Sequence, residues 1–228
     1  MSGLDVRAFT VGPVQENSYI VRADPQAGRA VIVDPGDEPD RLLAAAEELG
    51  VQIEAILLTH CHFDHIGAVA PVARATGAEV YCPVIERPVL ADVMRWVPPG
   101  FGPFESYEAE HTVAGGERLS LAGIDINVIF TPGHSPGHVT YAVPGALLSG
   151  DVLFQGSVGR VDLPGGDWTT LERSIEDLLK TFPQETVVYP GHMGLTTLGR
   201  ERDTNPFLAE LRSAVHATAA PDATTAGS

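Results

Sequence analysis

THCHFDHIG, residues 59–67, follows the apolar run IEAILLT at 53–59 and packs three histidines and an aspartate into six positions. The apolar run has the length and composition of a buried strand, so the chain is delivered in extended form to the first histidine. In extended chain alternate residues project to one side, which lets His60, His62 and Asp64 converge on one point. Imidazole and carboxylate together suit a borderline cation such as zinc. A turn after Asp64 would aim His65 at a second point, with Asp64 going to whichever ion it reaches best, so two adjacent metal sites become possible. The same alternation turns Cys61 away from that point, toward a buried packing role.

Working outward, His134 and His138 fall in TPGHSPGH (131–138) and His192 in YPGHMG (189–194), so six of the eight histidines sit in three short clusters. Asp151 ends the apolar run LLSGD, a place where a carboxylate can bridge two cations. Asp34, in VIVDPG at 31–36, stands at a turn from which it can cap the helix beginning at 38.

The surrounding pattern gives β-runs at LDVRAFTV, 17–21 and 29–36, then a helix over 38–49 closed by Gly50. After the histidine motif it predicts a helix over 66–76 ending at Gly77, a strand at EVYC, and a helix over 83–95 starting near Pro83. WVPPGFGPF at 96–104 is a loop that either packs on the surface or walls a substrate pocket. Strands dominate 117–148, followed by a helix over 168–181, a strand at 185–189 and a helical end over 199–216. No linker divides the chain and no solenoid period repeats, so the expectation is one α+β or α/β domain over 1–216, with 217–228 a disordered tail.

Composition narrows the function classes. The formal net charge is −16 with one lysine, Lys180, in 228 residues, which opposes a phosphate backbone and argues against a nucleic-acid partner. No apolar run reaches membrane-spanning length, and MSGLDVRAFTV lacks the parts of a signal peptide, so a cytoplasmic protein with no membrane partner is expected. Cys61 and Cys82 are too few for a disulfide framework and are expected to be reduced.

THCHFDHIGA, TPGHSPGH, LLSGDVLFQGSVGRVDLPGGD, ETVVYPGHMGLTT and NPFL resemble, in order and spacing, the metallo-β-lactamase superfamily and its hydroxyacylglutathione hydrolase (glyoxalase II) branch. The resemblance implies a four-layer αβ/βα sandwich with the metals at one edge between two sheets. It assigns His60, His62 and His134 to one ion, Asp64, His65 and His192 to the other, and Asp151 to both, with His138 a structural hydrogen-bonding residue and Asp34 either orienting a ligand imidazole or capping the helix at 38. Two zinc ions are implied, iron or manganese being alternatives. The implied reaction needs no side-chain nucleophile: water activated between the ions attacks an acyl carbonyl, with Asp64 steering that water and Asp151 fixing the ion separation.

The substrate the resemblance implies is a small acyl thioester of the S-2-hydroxyacyl-thiol kind. Arg160 matches a basic position of the family and is a candidate to hold a substrate carboxylate, or else to pair with a local aspartate. Asp162 and Gly194 stand where the glutathione-binding tyrosines would be, and the chain stops soon after NPFL, so glutathione is not implied: the expectation is either another small thiol or a pocket that accepts varied acyl thioesters. Two alternatives share the fold. One is a persulfide dioxygenase with a single iron, and the other is a lactone or β-lactam hydrolase. The oligomeric state is not indicated.

Overall fold

The computed structural model describes residues 3–209, and its architecture follows from three apolar layers that the strands alternate between. Six strands build the first sheet in the order β1 (Asp5–Val11), β2 (Glu16–Arg22), β3 (Arg29–Val33), β4 (Gln52–Leu57), β5 (Glu79–Pro83) and β6 (His111–Val113). The first two pairings are antiparallel and the last three parallel. The second sheet holds β7 (Arg118–Leu121), β8 (Ile124–Phe130), β9 (Val139–Val143) and β10 (Ala146–Gly150). After the small hairpin β11 (Leu153–Phe154) and β12 (Ser157–Val158), β13 (Val187–Pro190) and β14 (Thr196–Thr197) complete that sheet in the order β14-β13-β10-β9-β8-β7.

β3 and β4 read as unbroken apolar runs because both faces are covered. Val31, Val33, Ala55 and Leu57 face the second sheet and meet Ile126, Val128, Tyr141 and Leu148. Ala30, Ile32 and Ile56 face outward onto helices α1 (Pro39–Glu48) and α3 (Val69–Thr76), through Leu42, Ala46, Val69 and Val72. On the far side Leu147 and Val188 pack against Leu171, Ile175 and Leu178 of α5 (Trp168–Thr181). The result is the expected helix–sheet–sheet–helix sandwich. Among the described residues, no helix is long and apolar enough to cross a membrane.

Local departures from the sequence pattern have identifiable causes. The chain turns into the one-turn helix α2 (Phe63–Ile66) before Asp64 rather than after it, so the helix expected over 66–76 is two pieces separated at Gly67 and Ala68. The helix expected over 83–95 shrinks to α4 (Arg87–Ala91) and a 3₁₀ turn at Val93–Arg95. Pro88 explains this, since a proline has no amide hydrogen and is tolerated in the first turn of a helix but not farther in. α6 (Leu198–Thr204) and a 3₁₀ turn at Pro206–Leu208 form the helical end; the remainder expected to 216, and the tail at 217–228, lie outside the described residues.

Candidate metal centre

The residues singled out in the sequence meet at the carboxyl ends of strands from both sheets. His60 and His62 follow β4, Asp64 and His65 ride on α2, His134 lies between β8 and β9, Asp151 follows β10, and His192 follows β13. Alternation accounts for His60 and His62. Asp64 arrives by the turn at Phe63 instead, which places it with His65 and His192. Three sets of mutually close donor atoms occur among the described residues: His60, His62 and His134 form one group, Asp64, His65 and His192 a second, and Asp34 with His60 and His65 a third that lies behind them, where Asp34 accepts from His65.

Hydrogen bonds behind each imidazole fix which nitrogen is free. The single Thr59 hydroxyl hydrogen is donated to Asp34 Oδ2 at 2.6 Å, so toward His60 Nδ1, 3.0 Å away, that oxygen accepts. His60 Nε2 is therefore a bare lone pair. His134 Nδ1 donates to the Arg160 carbonyl at 2.7 Å, which leaves its Nε2 bare as well. His62 Nδ1 lies 3.1 Å from the first and 2.8 Å from the second. One hydrogen on His62 cannot serve both partners, whereas a cation serves all three nitrogens.

The second group repeats the logic. His65 Nδ1 donates to Asp34 Oδ2 at 3.0 Å, and its Nε2 faces Asp151 Oδ1 at 3.4 Å. Both facing atoms are buried with no hydrogen-bond partner, a costly arrangement that a cation between them would relieve. His192 Nδ1 donates to the Gln15 carbonyl, turning Nε2 toward Asp64 Oδ2 at 3.3 Å. Asp151 Oδ2 lies 3.5 Å from Nε2 of both His134 and His192, so one carboxylate touches both groups. The donor set fits a metal site.

The electrostatics differ within the cluster. Burial, then the neighbouring imidazoles, push His60 well below the ordinary histidine value and His62 down to about 4. Burial also acts to lower His65, but Asp151, Asp64 and Asp34 outweigh it and raise its pKa well above the usual range. His192 is raised in the same contest, burial against Asp64 and Asp151. Burial opposes ionisation of Asp151, yet His65, His134 and His192 hold its pKa far below the usual carboxylate range.

The supporting residues resolve several open readings. Asp34 accepts from the Thr59 amide, the Thr59 hydroxyl and His65, and the cap position of α1 is Glu38, so Asp34 orients the cluster rather than capping a helix. His138 Nε2 accepts from the Asp151 amide at 3.1 Å and thereby anchors the loop after β10. Gly150 makes this approach possible: its φ is +48°, and a Cβ there would lie 2.4 Å from Thr59 Oγ1 and 2.7 Å from His138 Nε2. Cys61 is buried with its Sγ 3.6 Å from Cys82 Sγ, pointing away from the donors. Arg160 is exposed and held by Asp162 through two bonds of 2.6 and 2.7 Å, so its carbonyl reaches the cluster while its guanidinium is already paired.

Other contributors gave little sequence signal. Asn17 on β2 donates to the carbonyls of Pro190 and Met193, and Tyr19 donates to Pro190, clamping the turn that carries His192. Glu86 accepts from Ser135 and the Gly137 amide and holds the His134 loop. Glu16 is fully buried beside His65, with neither oxygen hydrogen-bonded, and burial raises its pKa well above the usual value. The polar run Glu16-Asn17-Ser18 inside a strand was the available clue.

A helix-flanked pair of sheets with histidines and aspartates gathered at the carboxyl ends of strands from both defines a class of metal-site proteins. The chain belongs to the metallo-beta-lactamase superfamily, whose family model matches residues 11–192. It is 42% identical over 209 residues to the probable metallo-hydrolase YqgX of Bacillus subtilis, covering 89% of this chain and 96% of that one. It is 33% identical over 215 residues to the hydroxyacylglutathione hydrolase GloC of Haemophilus influenzae, covering 90% and 98%. Among solved structures, the BLEG-1 B3 metallo-beta-lactamase superposes with a TM-score of 0.84 at 39% identity, covering 90% of this chain and all of that one. TTHA1623 in a di-iron-bound form superposes at 0.71 with 42% identity, covering 89% and 100%. Membership supports metal-dependent hydrolysis as the general chemistry.

Proposed function

We propose that this chain is a dinuclear metal-dependent hydrolase of small acyl thioesters. The observation that carries the metal part is the position of Asp151, whose Oδ2 is 3.5 Å from an imidazole nitrogen of each donor group. His60, His62 and His134 would hold one ion, Asp64, His65 and His192 the other, and Asp151 both; the nitrogen-rich set favours zinc, and the di-iron form of TTHA1623 keeps iron in view. When bound, such a pair supplies a water acidic enough to attack at neutral pH and a Lewis acid for the carbonyl.

The chain's own groups do the rest. Asp64, its side chain 14% exposed, is the carboxylate of the second group and can accept a hydrogen bond from an attacking water. Asp151 and its amide anchor on His138 keep the two groups in register. The thioester assignment is supported by the hydroxyacylglutathione hydrolase GloC among the relatives. Glutathione is not the expected carrier, because Arg160 would have to leave Asp162 to meet a substrate carboxylate.

Elemental analysis of protein purified without added metal, joined to assay of S-lactoyl thioesters of several thiols, tests this reading. Two equivalents of metal per chain and metal-dependent release of thiol are expected. One iron per chain with oxygen consumption on thiol persulfides would replace it with a dioxygenase. Turnover of lactones or β-lactams in preference to thioesters would move it to another acyl substrate of the same centre.

A further inference from the structure

The β11–β12 hairpin runs from the shared carboxylate, Asp151, to Arg160, and its far end is pinned by a buried carboxylate that lies outside the metal centre. From this arrangement we infer that Glu201 of α6 is a positioning residue of the centre: through the hairpin it fixes the Arg160 carbonyl against His134, and with it the first donor group. The inference deepens the dinuclear reading and rests on it.

Three observations carry the inference. First, the hairpin touches the centre in space. The Arg160 carbonyl accepts from His134 Nδ1 at 2.7 Å, the bond that leaves His134 Nε2 bare. Gly159 packs between Asp151 and His134: a Cβ there would lie 1.8 Å from the Asp151 carbonyl oxygen and 3.1 Å from His134 Nδ1. Leu153 pairs with Val158 to close the stem, and the Phe154 ring stands edge-on to His192 at 5.8 Å between centroids. A shift of the hairpin therefore moves the acceptor on which His134 depends.

Second, α6 holds the other end. A two-stranded ribbon as short as Leu153–Phe154 on Ser157–Val158 does not keep its shape alone. The Gly156 amide donates to Glu201 Oε2 at 2.7 Å, and the Ser157 carbonyl accepts from Asn205 Nδ2 at 2.9 Å. Asn205 Nδ2 also donates to Glu201 Oε2 at 2.9 Å, and Thr196 Oγ1 donates to Oε1. Third, Glu201 is fully buried, in a place where Leu198 and Leu208 pack with Val152, Leu153 and Val158. Taking a carboxyl group out of water is costly unless its oxygens are bonded, and a helix that only had to pack here would carry an apolar residue. Its donors come from three segments, the hairpin turn, β14 and the end of α6, so the carboxylate fixes these relative to one another. The His192 turn is held separately by Asn17 and Tyr19, which leaves the first donor group the more dependent on Glu201.

The test reads metal affinity site by site rather than turnover. Zinc is withdrawn from the zinc-loaded protein with a chromophoric chelator, and the phase that His62→Ala abolishes marks the first group. Glu201→Leu keeps an apolar side chain of similar size and removes the acceptor from all three donors. It should weaken the first-group phase about tenfold or more and leave the second within about threefold. Glu201→Gln can accept from Gly156 and Asn205 through its oxygen and donate to Thr196 through its amide, so it should restore the first phase to within about threefold of wild type. Leu42→Ala, a truncation buried on α1 in the opposite half of the sandwich, should lower the unfolding midpoint and leave both phases in place. Glu201→Asp, one methylene too short to reach all three donors, should shift the first phase in the same direction and serves where Glu201→Leu does not fold.

An unchanged first phase in both Glu201→Leu and Glu201→Asp overturns the assignment, as does equal weakening of the two phases. A loss of the same size in Leu42→Ala would reduce the effect to general stability and overturn it too, and so would a Glu201→Gln variant as weak as Glu201→Leu. Wild-type protein that takes up fewer than two equivalents of zinc overturns the dinuclear reading, and the role of Glu201 falls with it. Two equivalents held alike by wild type and by the Glu201 variants overturn that role alone.

Discussion

The two donor groups of the centre use similar side chains in opposite electrostatic settings. His60 and His62 carry lowered pKa values and turn ring nitrogens toward one another and toward His134, so these two are uncharged nitrogen donors. His65 and His192 stand among Asp64, Asp34 and Asp151, and their pKa values are raised. His60 and His62 are ready for a cation by being desolvated and uncharged. The second must hold positive charge in any state, either as protons or as metal, because its carboxylates are buried or nearly so. Metal at the second group therefore replaces protons, whereas metal at the first replaces little.

Asp151→Ala should have the largest consequence, because it strips the one carboxylate shared by both groups. Metal content should fall below one equivalent per chain, and kcat/KM on the order of a thousandfold or more. Retention of two tightly held ions by this variant, measured by elemental analysis after gel filtration, would end the bridging assignment. His62→Ala and His192→Ala come next. Each should lose about one equivalent and leave the other, and equal loss of both ions in both variants would show that the groups are not separable.

Acidity should then sort the groups. With His62 at about 4, the first group keeps a free nitrogen there down to mildly acidic pH. His65 and His192, raised above the ordinary value, take up protons at higher pH, and protonated nitrogens compete with metal. As pH falls from 8 to 5.5 the ion of the second group should leave first, seen as a half-loss of metal in equilibrium dialysis. Simultaneous loss of both ions, or loss from the first group first, would invert the comparison. Thr59→Val sharpens it with a smaller effect: it removes the acceptor for His60 Nδ1 yet leaves the Asp34 bond to His65, so metal at the first group should weaken about tenfold and the second hold.

Legibility in the sequence followed the distance over which a signal acts. Strand alternation is local, and it aimed His60 and His62 correctly; the helix over 168–181 was readable because its apolar spacing and its Asp167 cap are local too. The turn at Phe63 was misplaced by two residues, after Asp64 instead of after His62, because nothing in HFDH marks where extended chain stops. Asp34 stayed divided between two roles because its partners, Thr59 and His65, lie 25 and 31 residues away. Asn17, Tyr19 and Glu86 serve the centre through contacts made across the sandwich, at separations of 49 to 176 residues, and such contacts leave no pattern in a single chain. The 96–104 loop was open between surface packing and pocket wall; its packing onto Gly67 and Phe63 is made by the fold and leaves no mark in the loop's own sequence.

Arg160 gives the smallest expected effect and marks where main chain and side chain of one residue separate in function. Its carbonyl receives the His134 hydrogen that leaves Nε2 bare for the first donor group. Its guanidinium lies in solvent, pinned to Asp162, and exposed pairs of this kind add little to stability. Arg160→Ala keeps the carbonyl and removes the pair, so metal content and the unfolding midpoint should stay at wild-type values, and kcat/KM for uncharged thioesters should change by about twofold at most. A large loss confined to thioesters of an anionic thiol would instead mean that Asp162 yields to substrate, which would make this residue a gate for the carrier while leaving both metal groups as they are.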